Sequence, residues 1–372
     1  IAPILRAFLQ PWHTALDDPP AAQERILQEL LGIYARTDFG RQHHAEQVGS
    51  IADYRSAFPV QTYAGYEPIL RRVMGGDTHA LLEAEPLGWA MTRGTTGHSK
   101  YIPMTPRDLE QRHNAARAVI QYVLHSQRFD ILLGANLNLS FPSVVGSLEV
   151  GGRRIEYGYA TGIYVKHVAA RTPINTIPSQ EAIDALGGDT SRGAWEARFQ
   201  LAYETAKDQN MTIVGGAAQV ALKFGRWLHK NHEVYPKDVW KIGVLSLGST
   251  SGINSTLRPR LLSYYGQDAG LFEIYGATEG MLGQQRDGRR CWVPNYDLYF
   301  FEVETRQGIK MLHEMTPGDT GGLVISTPVL PRYKILDIVR AFESPYFLCI
   351  GRDRPWTRAV YWLRRAMELD FG

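Results

Sequence analysis

Short and nearly continuous apolar runs recur through the middle of this 372-residue chain, where they alternate with helical segments. Strands that are buried on both faces have this composition, because helices cover each side of a mostly parallel sheet. The strand-like runs are ILLGANLNLSF, MTIVGGAA, KIGVLSLG, LFEIYG, LYFFEVE and GGLVIST. The helical spacing of apolar residues predicts helices in residues 1–37, HNAARAVIQYVLHS and GAWEARFQLAYETAKD. The pattern predicts an α/β fold with mixed sheets and helices on their faces. Residues 292–327 look more antiparallel and predict a β-rich lobe.

Composition excludes several classes of protein. The net charge is only +2 at pH 7, which argues against nucleic acid or an anionic membrane as a bulk electrostatic partner. No apolar run reaches the length of a membrane span, and no secretory signal is visible. The two cysteines, Cys291 and Cys349, lack metal-ligand spacing and are expected to be reduced, buried thiols. These features favour a cytoplasmic protein.

The stretch MTRGTTGHSK, residues 91–100, predicts a phosphate-binding loop. Its glycines let backbone N–H groups approach an anion closely, its threonines add hydroxyl donors, and Lys100 adds a positive charge. β-prone runs flank the loop, so it is predicted to join two strands, and the next helix is predicted to begin at Thr105 and Pro106. An ordinary Gly/Thr hairpin turn remains the alternative.

Polar, glycine-containing segments directly follow three of the predicted strands. They are Gly215-Gly216, Gly248-Ser249-Thr250 and Tyr275-Gly276-Ala277-Thr278-Glu279. Ligands of open α/β sheets bind beyond the carboxyl ends of the strands. We therefore expect these three segments to line a common crevice.

The last of these segments, YGATEG, carries three kinds of chemistry. Tyr275 offers a flat face to a base, and Thr278 offers a hydroxyl to a phosphate. Glu279 offers the hard carboxylate that Mg²⁺ accepts alongside phosphate oxygens. The alternative is a turn at the end of a strand with an exposed glutamate.

Two further segments fit a nucleotide site. Asp337 lies inside the apolar run RYKILDIV, where an acid is costly unless it is paired or used. It could accept hydrogen bonds from ribose hydroxyls, or it could form a salt bridge with Lys334 or Arg340. Gly351-Arg352-Asp353 follows the strand-like YFLCI and could be a hinge.

The order of these segments resembles the adenylate-forming superfamily, whose phosphate loop reads [ST]SGTTGxPK. Residues 92–100 differ from that pattern at Arg93, where the family has serine, and at Ser99, where it has proline. Within the superfamily the chain resembles the GH3 acyl-acid amido synthetases over about residues 25–353. The resemblance rests on ARTDFGRQHH, IADYRSAFPVQTYAGYEPILRRVMGGD and YIPMT, and on LYFFEVE and RYKILDIVRAF, which are similar to the family's FFEF and RYRVGDVV. Leu336 replaces the glycine before the aspartate.

The resemblance implies a large adenylate-forming domain over residues 1–350, with a hinge and the remnant or start of a C-terminal domain over residues 351–372. That cap domain is expected to be largely absent from the chain. The implied reaction uses ATP and Mg²⁺ to activate a carboxylic acid as an acyl-adenylate, which is then transferred to an amine such as an amino acid. Transfer to CoA or an alcohol, and a non-catalytic nucleotide-binding homologue, remain alternatives.

The resemblance also implies a role for each matching residue. Thr95 and Lys100 in the loop, and Thr278 and Glu279 in YGATEG, are the expected catalytic residues, with Glu279 as the metal ligand. The expected nucleotide-binding residues are Thr92, Gly94, Thr95, Thr96, Gly97, Ser249, Thr250, Tyr275, Gly276, Thr278, Asp337 and Arg352. For the acid pocket, the apolar and aromatic residues Phe141, Val144, Tyr159 and Tyr164 are candidates, with plain packing as the alternative.

Overall fold

The computed structural model describes residues 1–92, 99–168, 171–357, 359–360 and 363. Its helices are α1 (Ala2–Asp17), α2 (Pro19–Tyr34), α3 (Asp38–Gln42), α4 (Ile51–Ala57), α5 (Tyr63–Met74), α6 (Pro106–Ala115), α7 (Ala118–Ser126), α8 (Ala160–Val168), α9 (Gln180–Ala185), α10 (Arg192–Ala206), α11 (Ala218–His232), α12 (Pro236–Val239) and α13 (Arg258–Tyr265). Its strands are β1 (Gly88–Thr92), β2 (Lys100–Met104), β3 (Ala135–Asn138), β4 (Gly146–Val150), β5 (Arg153–Gly158), β6 (Thr176–Ile177), β7 (Met211–Ala217), β8 (Val244–Gly248), β9 (Gly270–Ala277), β10 (Gly280–Gln284), β11 (Val293–Pro294), β12 (Phe300–Thr305), β13 (Gly308–Met311), β14 (Thr320–Thr327), β15 (Leu330–Ala341) and β16 (Phe347–Arg352). None of the helices in these ranges combines the length and apolar character needed to cross a bilayer.

A seven-stranded sheet in the order β11-β10-β9-β8-β7-β3-β6 forms the centre of the fold. Strands β6, β3, β7, β8 and β9 run parallel, and β10 and β11 are antiparallel additions. Alternate residues of the parallel strands face opposite layers of helices. Val214 and Leu245 pack with α10, α11 and α13, whereas Ile213 and Val244 pack with Val123 of α7. The predicted α/β class is confirmed.

The predicted β-rich lobe is an antiparallel sheet in the order β13-β12-β14-β15-β16, which extends the prediction to Arg352. The N-terminal helices cover it. The Phe301 N–H of β12 donates to Gln23 Oε1 of α2 at 2.8 Å, and the Tyr34 hydroxyl donates to the Thr327 carbonyl at 2.7 Å. Helices that are distant in sequence therefore belong to the core of the lobe.

A third sheet, in the order β2-β1-β5-β4, carries the predicted phosphate loop. Strands β1 and β2 are antiparallel, with Thr92 opposite Lys100, so the loop joins two strands as predicted. Helix α6 begins where predicted, because the Thr105 hydroxyl accepts a hydrogen bond from the Asp108 N–H and Pro106 occupies the first turn.

Three local predictions need correction. The single helix predicted over HNAARAVIQYVLHS is two helices, α6 and α7, which are separated at Ala116 and Arg117. The break is stabilised because the Arg117 guanidinium forms a buried bidentate pair with Asp297, at 2.9 and 2.6 Å. Only Ala135–Asn138 of the run ILLGANLNLSF is a strand, since Phe129–Leu133 forms a 3₁₀ helix. The cysteines are free, as expected, but partly exposed rather than buried.

Candidate nucleotide site

The three polar segments that follow predicted strands come together at one edge of the central sheet. Strands β7, β8 and β9 are parallel neighbours, so their carboxyl ends share that edge. Ser249 lies in the left-handed region with a φ of 69°, immediately after Gly248. A Cβ at Gly248 would lie 2.8 Å from the Ile274 carbonyl oxygen, which explains why this strand ends in glycine. The expected crevice edge is therefore present.

Thr278 and Glu279 form the two-residue turn between β9 and β10, where Ala277 pairs with Gly280. Glu279 is only 6% exposed, so the alternative of an exposed glutamate is wrong. Burial raises the pKa of Glu279, and the Lys100 ammonium and the Tyr333 hydroxyl act in the opposite direction. A buried carboxylate near a lysine can bind a metal cation, and the lysine can then pair with an anionic ligand instead.

Lys100 starts β2 and reaches toward the lobe. Its Nζ lies 3.4 Å from the Tyr333 hydroxyl and 5.7 Å from the ring centroid of Tyr63. Partial burial lowers the pKa of Lys100, while Glu279 raises it. The ammonium therefore lies in the electrostatic field of the Glu279 carboxylate.

Asp337 lies on β15 opposite Arg352 of β16. Arg352 Nη1 donates to Asp337 Oδ1 at 2.6 Å, and the Tyr275 hydroxyl donates to Oδ2 at 2.8 Å. The salt-bridge partner of Asp337 is thus Arg352. Lys334, one of the two partners considered from the sequence, pairs with Glu304 and Asp353 instead. Each carboxylate oxygen keeps a second lone pair, so Asp337 can still accept hydroxyl groups of a ligand.

The ring of Tyr275 is less available than the sequence predicts. It is 7% exposed and stacks on Trp292, with centroids 4.6 Å apart and planes within 5°. Trp292 covers one face, so only the other could contact a base. The hydroxyl instead orients Asp337.

The four residues predicted for an acid pocket do not share one environment. Phe141 and Tyr159 contact each other with centroids 4.2 Å apart, and Trp195 lies edge-on to Phe141 at 4.9 Å. Tyr164 packs against the cluster around Ala90, and its burial raises its pKa to about 12. Val144 is partly buried in the segment between β3 and β4. A separate cavity of about 330 Å³ lies at the start of β1, at the far end of that strand from the loop.

Two residues of the site were missed in the sequence. Tyr333 lies between Lys100 and Glu279, and its only signal was its place in RYKILD, four residues before Asp337. Arg112 donates to the Thr278 carbonyl, and the available signal was Asp108 four residues earlier on the same predicted helix. Gly94, Thr95, Thr96 and Gly97 lie outside the described residues.

The residues present fit a magnesium ion bound together with phosphate. Within the ranges that the structure describes, no cluster of three or more His, Cys, Asp or Glu could hold a metal by itself. Mg²⁺ usually takes one or two protein carboxylates and completes its shell with water and phosphate oxygens. Glu279, buried beside Lys100 at the crevice edge, provides one such carboxylate.

Comparison with solved structures defines the class of fold. The AtGH3.15 acyl acid amido synthetase in complex with 2,4-DB superposes with a TM-score of 0.75 at 16% identity, over 95% of this chain and 70% of that one. An open conformation of 2-hydroxyisobutyryl-CoA ligase with 2-HIB-AMP and CoA gives a TM-score of 0.61 at 15% identity, over 88% of this chain and 74% of that one. The chain has the fold of adenylate-forming enzymes.

Sequence comparison finds a family resemblance in the N-terminal half of the chain. Residues 9–182 match the model described as the GH3 family N-terminal domain. The indole-3-acetic acid-amido synthetase GH3.2 of Arabidopsis thaliana is 28% identical over 97 residues, which are 26% of this chain and 18% of that protein. GH3.8 of Oryza sativa subsp. indica, of the same description, is 30% identical over 107 residues, or 28% of this chain and 17% of that protein. Residues 9–182 are therefore similar to the N-terminal domain of the GH3 family, and the segments matched in these relatives span under a fifth of their length.

Proposed function

We propose that the protein activates a carboxylic acid with ATP as an acyl-adenylate and transfers the acyl group to an amine, with amino acids as the acceptor class. One observation carries the proposal: Lys100, Glu279, Asp337 and Arg352 come from three different sheets and converge at the edge of the central sheet. Two cations and two carboxylates so arranged suit a polyanion that carries a metal and hydroxyl groups. A nucleoside triphosphate has all three features.

The proposed reaction has two steps. A carboxylate oxygen attacks the α-phosphorus, the bond to the β-phosphate breaks, and pyrophosphate leaves. The amine nitrogen then attacks the acyl carbon, AMP leaves, and the amine loses a proton. In both steps the main task of the protein is to position the reactants and to stabilise the negative charge that accumulates. Neither step needs a covalent intermediate with the protein.

The proposed roles of Lys100, Glu279 and Asp337 are supported by their position and charge, and the other roles rest on the family resemblance. Lys100 would neutralise phosphate, together with Thr95 and Thr96 of the loop, and Thr278 would contact the α-phosphate. Glu279 would hold Mg²⁺, which supplies charge neutralisation when bound. In the same proposal Asp337 would accept the ribose hydroxyls, and the remaining nucleotide contacts would come from Thr92, Gly94, Gly97, Ser249, Thr250, Tyr275, Gly276 and Arg352.

The acceptor is proposed from the family rather than from a pocket. The curated relatives are named amido synthetases, which favours an amine. The likeness to a CoA ligase is one of fold. Residues 1–350 as the adenylation domain, with a hinge near Arg352 leading into a C-terminal domain, also remain a proposal. Its support is that Arg352 ends β16 while it holds Asp337.

Acid-dependent exchange of pyrophosphate into ATP tests the first step. The complete protein is assayed with a panel of aliphatic, aromatic and indole carboxylic acids, and conjugates are then sought by mass spectrometry with mixed amino acids. We expect Glu279→Gln to lower exchange by about 100-fold or more, because the metal loses its carboxylate. Glu304→Gln, at a half-exposed glutamate of the lobe, is the matched control. Absence of exchange with every acid would refute the proposal, and full activity of Glu279→Gln would remove that residue from it.

A further inference from the structure

The turn that presents Glu279 is not of the types that two-residue hairpins most often use. Two-residue hairpin turns usually have positive φ at one or both central residues, because that twist matches the twist of the paired strands. Neither Thr278 nor Glu279 has a positive φ. The twist of the paired strands does not by itself favour this turn, so contacts from outside the hairpin help to hold it.

Arg112 supplies such a contact from helix α6. Its Nη2 donates to the Thr278 carbonyl oxygen at 2.7 Å, and its Nε donates to Asp108 Oδ2 at 2.7 Å. The side chains of Arg112 and Asp108 are 4% and 0% exposed. Because the guanidinium is planar and rigid, the bond to Asp108 fixes the direction of the N–H that points at Thr278.

The same stretch of chain also carries Lys100. Strand β2 begins at Lys100, and α6 follows it directly, capped by Thr105. Residues 100–112 thus form one continuous unit that holds the ammonium at one end and the support for the Glu279 turn at the other. The relative position of Lys100 and Glu279 is set through this unit rather than through the hairpin alone.

The pair is costly as a purely structural element. Asp108 Oδ1 is buried and has no hydrogen-bond partner within the described part of the chain. Desolvation raises the pKa of Asp108 despite the nearby Arg112. Buried ion pairs often contribute less to stability than well-packed apolar residues of the same volume. A half-satisfied pair at this position is therefore better explained by what Arg112 holds.

We propose that Arg112 is a positioning residue, oriented by Asp108, that sets the Thr278–Glu279 turn at its working distance from Lys100. The proposal rests on the proposed function, in which these residues hold metal and phosphate. The start of β10, on the other side of the turn from Thr278, is held by different contacts. The Met281 N–H donates to the Tyr299 hydroxyl at 3.3 Å, and Asn295 donates to the Met281 carbonyl at 2.8 Å.

Hydrogen exchange tests the structural part without any activity. The double variant Asp108→Asn/Arg112→Met removes the pair without leaving a lone buried charge. The matched control, Asp297→Asn/Arg117→Met, removes another buried arginine–aspartate pair that also lies beside β10. We expect amide exchange of residues 277–280 to accelerate about 10-fold or more only in the first variant, because only there is the turn released. Equal exchange in the two double variants would overturn the proposal.

Kinetics test the functional part with Arg112→Lys, which keeps the charge beside Asp108 but lacks the fork that reaches Thr278. We expect kcat for acid-dependent exchange to fall about 10-fold or more and the Mg²⁺ concentration for half-maximal rate to rise, with KM for the acid unchanged. The conservative Arg117→Lys should leave all three values unchanged. If Arg112→Lys behaves like Arg117→Lys, Arg112 does not position the site. If the wild-type protein supports no exchange, the proposed function fails, and the hydrogen-exchange comparison still decides whether Arg112 holds the turn.

Discussion

Leu336 holds a backbone conformation that residues with a Cβ rarely adopt, at a φ of 66°. Its carbonyl accepts the Asp353 N–H at 2.8 Å, directly before Asp337 and next to the end of β16. The resemblance places glycine at this position, and the observed φ gives the reason.

We expect Leu336→Gly to be more stable than Leu336→Ala by about 0.5–1 kcal/mol, because only the alanine variant keeps the strain. At Ile338, an ordinary position of the same strand, alanine should be the more stable substitution. Urea unfolding of the glycine and alanine variants at both positions checks this prediction. If the same substitution were the more stable one at Leu336 and at Ile338, the prediction would be wrong.

Glu273 is a buried acid that the proposed reaction does not use. Burial raises its pKa from 4.5 to about 7, and hydrogen bonding from Asn254 opposes the rise. Since the folded state holds this proton more tightly, the contribution of Glu273 to stability is present below pH 4.5 and is lost as the pH rises to about 7.

The variant Glu273→Gln should remove this pH dependence, because an amide accepts the same hydrogen bond without ionising. We expect the variant to exceed wild type in free energy of unfolding by on the order of 3 kcal/mol at pH 8 and to match it near pH 4.5. Urea unfolding at the two pH values measures the difference in free energy of unfolding between the variant and wild type. Other titrating groups contribute equally to both proteins and cancel in this difference. A constant difference at both values would show that Glu273 is not the group responsible.

At the level of elements, the sequence predicts those helices and strands whose position is determined by residues close to them in the chain. Strands β7, β8 and β9 were predicted because continuous apolar runs need helices on both faces, and the start of α6 was predicted from Thr105 and Pro106. The break at Ala116 and Arg117 was not predicted, because it depends on Asp297, which is 180 residues away. The burial of Glu279 was missed for the same reason: α6 and Tyr299 cover a turn whose own residues look exposed.

Strands β12 and β15 offer a matched test of buried and exposed ion pairs. Glu302 accepts from Arg55 at 2.8 Å and from Arg332 at 2.8 Å, with its side chain 1% exposed. Arg332 also donates to the Arg55 and Phe58 carbonyls, so it ties α4 to the lobe. Two residues further along each strand, Glu304 pairs with Lys334 at the surface.

We expect Glu302→Gln to lower the free energy of unfolding by about 3–5 kcal/mol, because the buried Arg332 and the partly exposed Arg55 lose their counter-charge. Glu304→Gln should cost less than about 1 kcal/mol, since Lys334 keeps its pair with Asp353 and the lost pair is partly exposed to water. Chemical denaturation of the two variants compares the pairs directly. Similar losses would mean that the buried pair does not hold α4 to the lobe.

At the scale of the molecule, the candidate site belongs to no single sheet. Lys100 comes from the sheet of β1 and β2, Glu279 from the central sheet, and Tyr333, Asp337 and Arg352 from the lobe. Lys100 and Tyr333, which are in contact, are 233 residues apart in the chain. The sequence could show which residue types bind a nucleotide, but it could not show that Tyr333 lies between the lysine and the glutamate.

A ligand at this junction should stabilise all three sheets together. At a free MgATP concentration 100 times Kd, we expect the free energy of unfolding to rise by about 2.7 kcal/mol. Amide hydrogen exchange should then slow in β2, β10 and β15 alike, because each of these strands, or a turn at its end, carries a residue that faces the ligand. Glu279→Gln should bind ATP with a smaller dependence on Mg²⁺ and still show the three-sheet pattern. If MgATP slowed amide exchange in only one sheet, the nucleotide would bind elsewhere. That result would contradict the role proposed for Lys100.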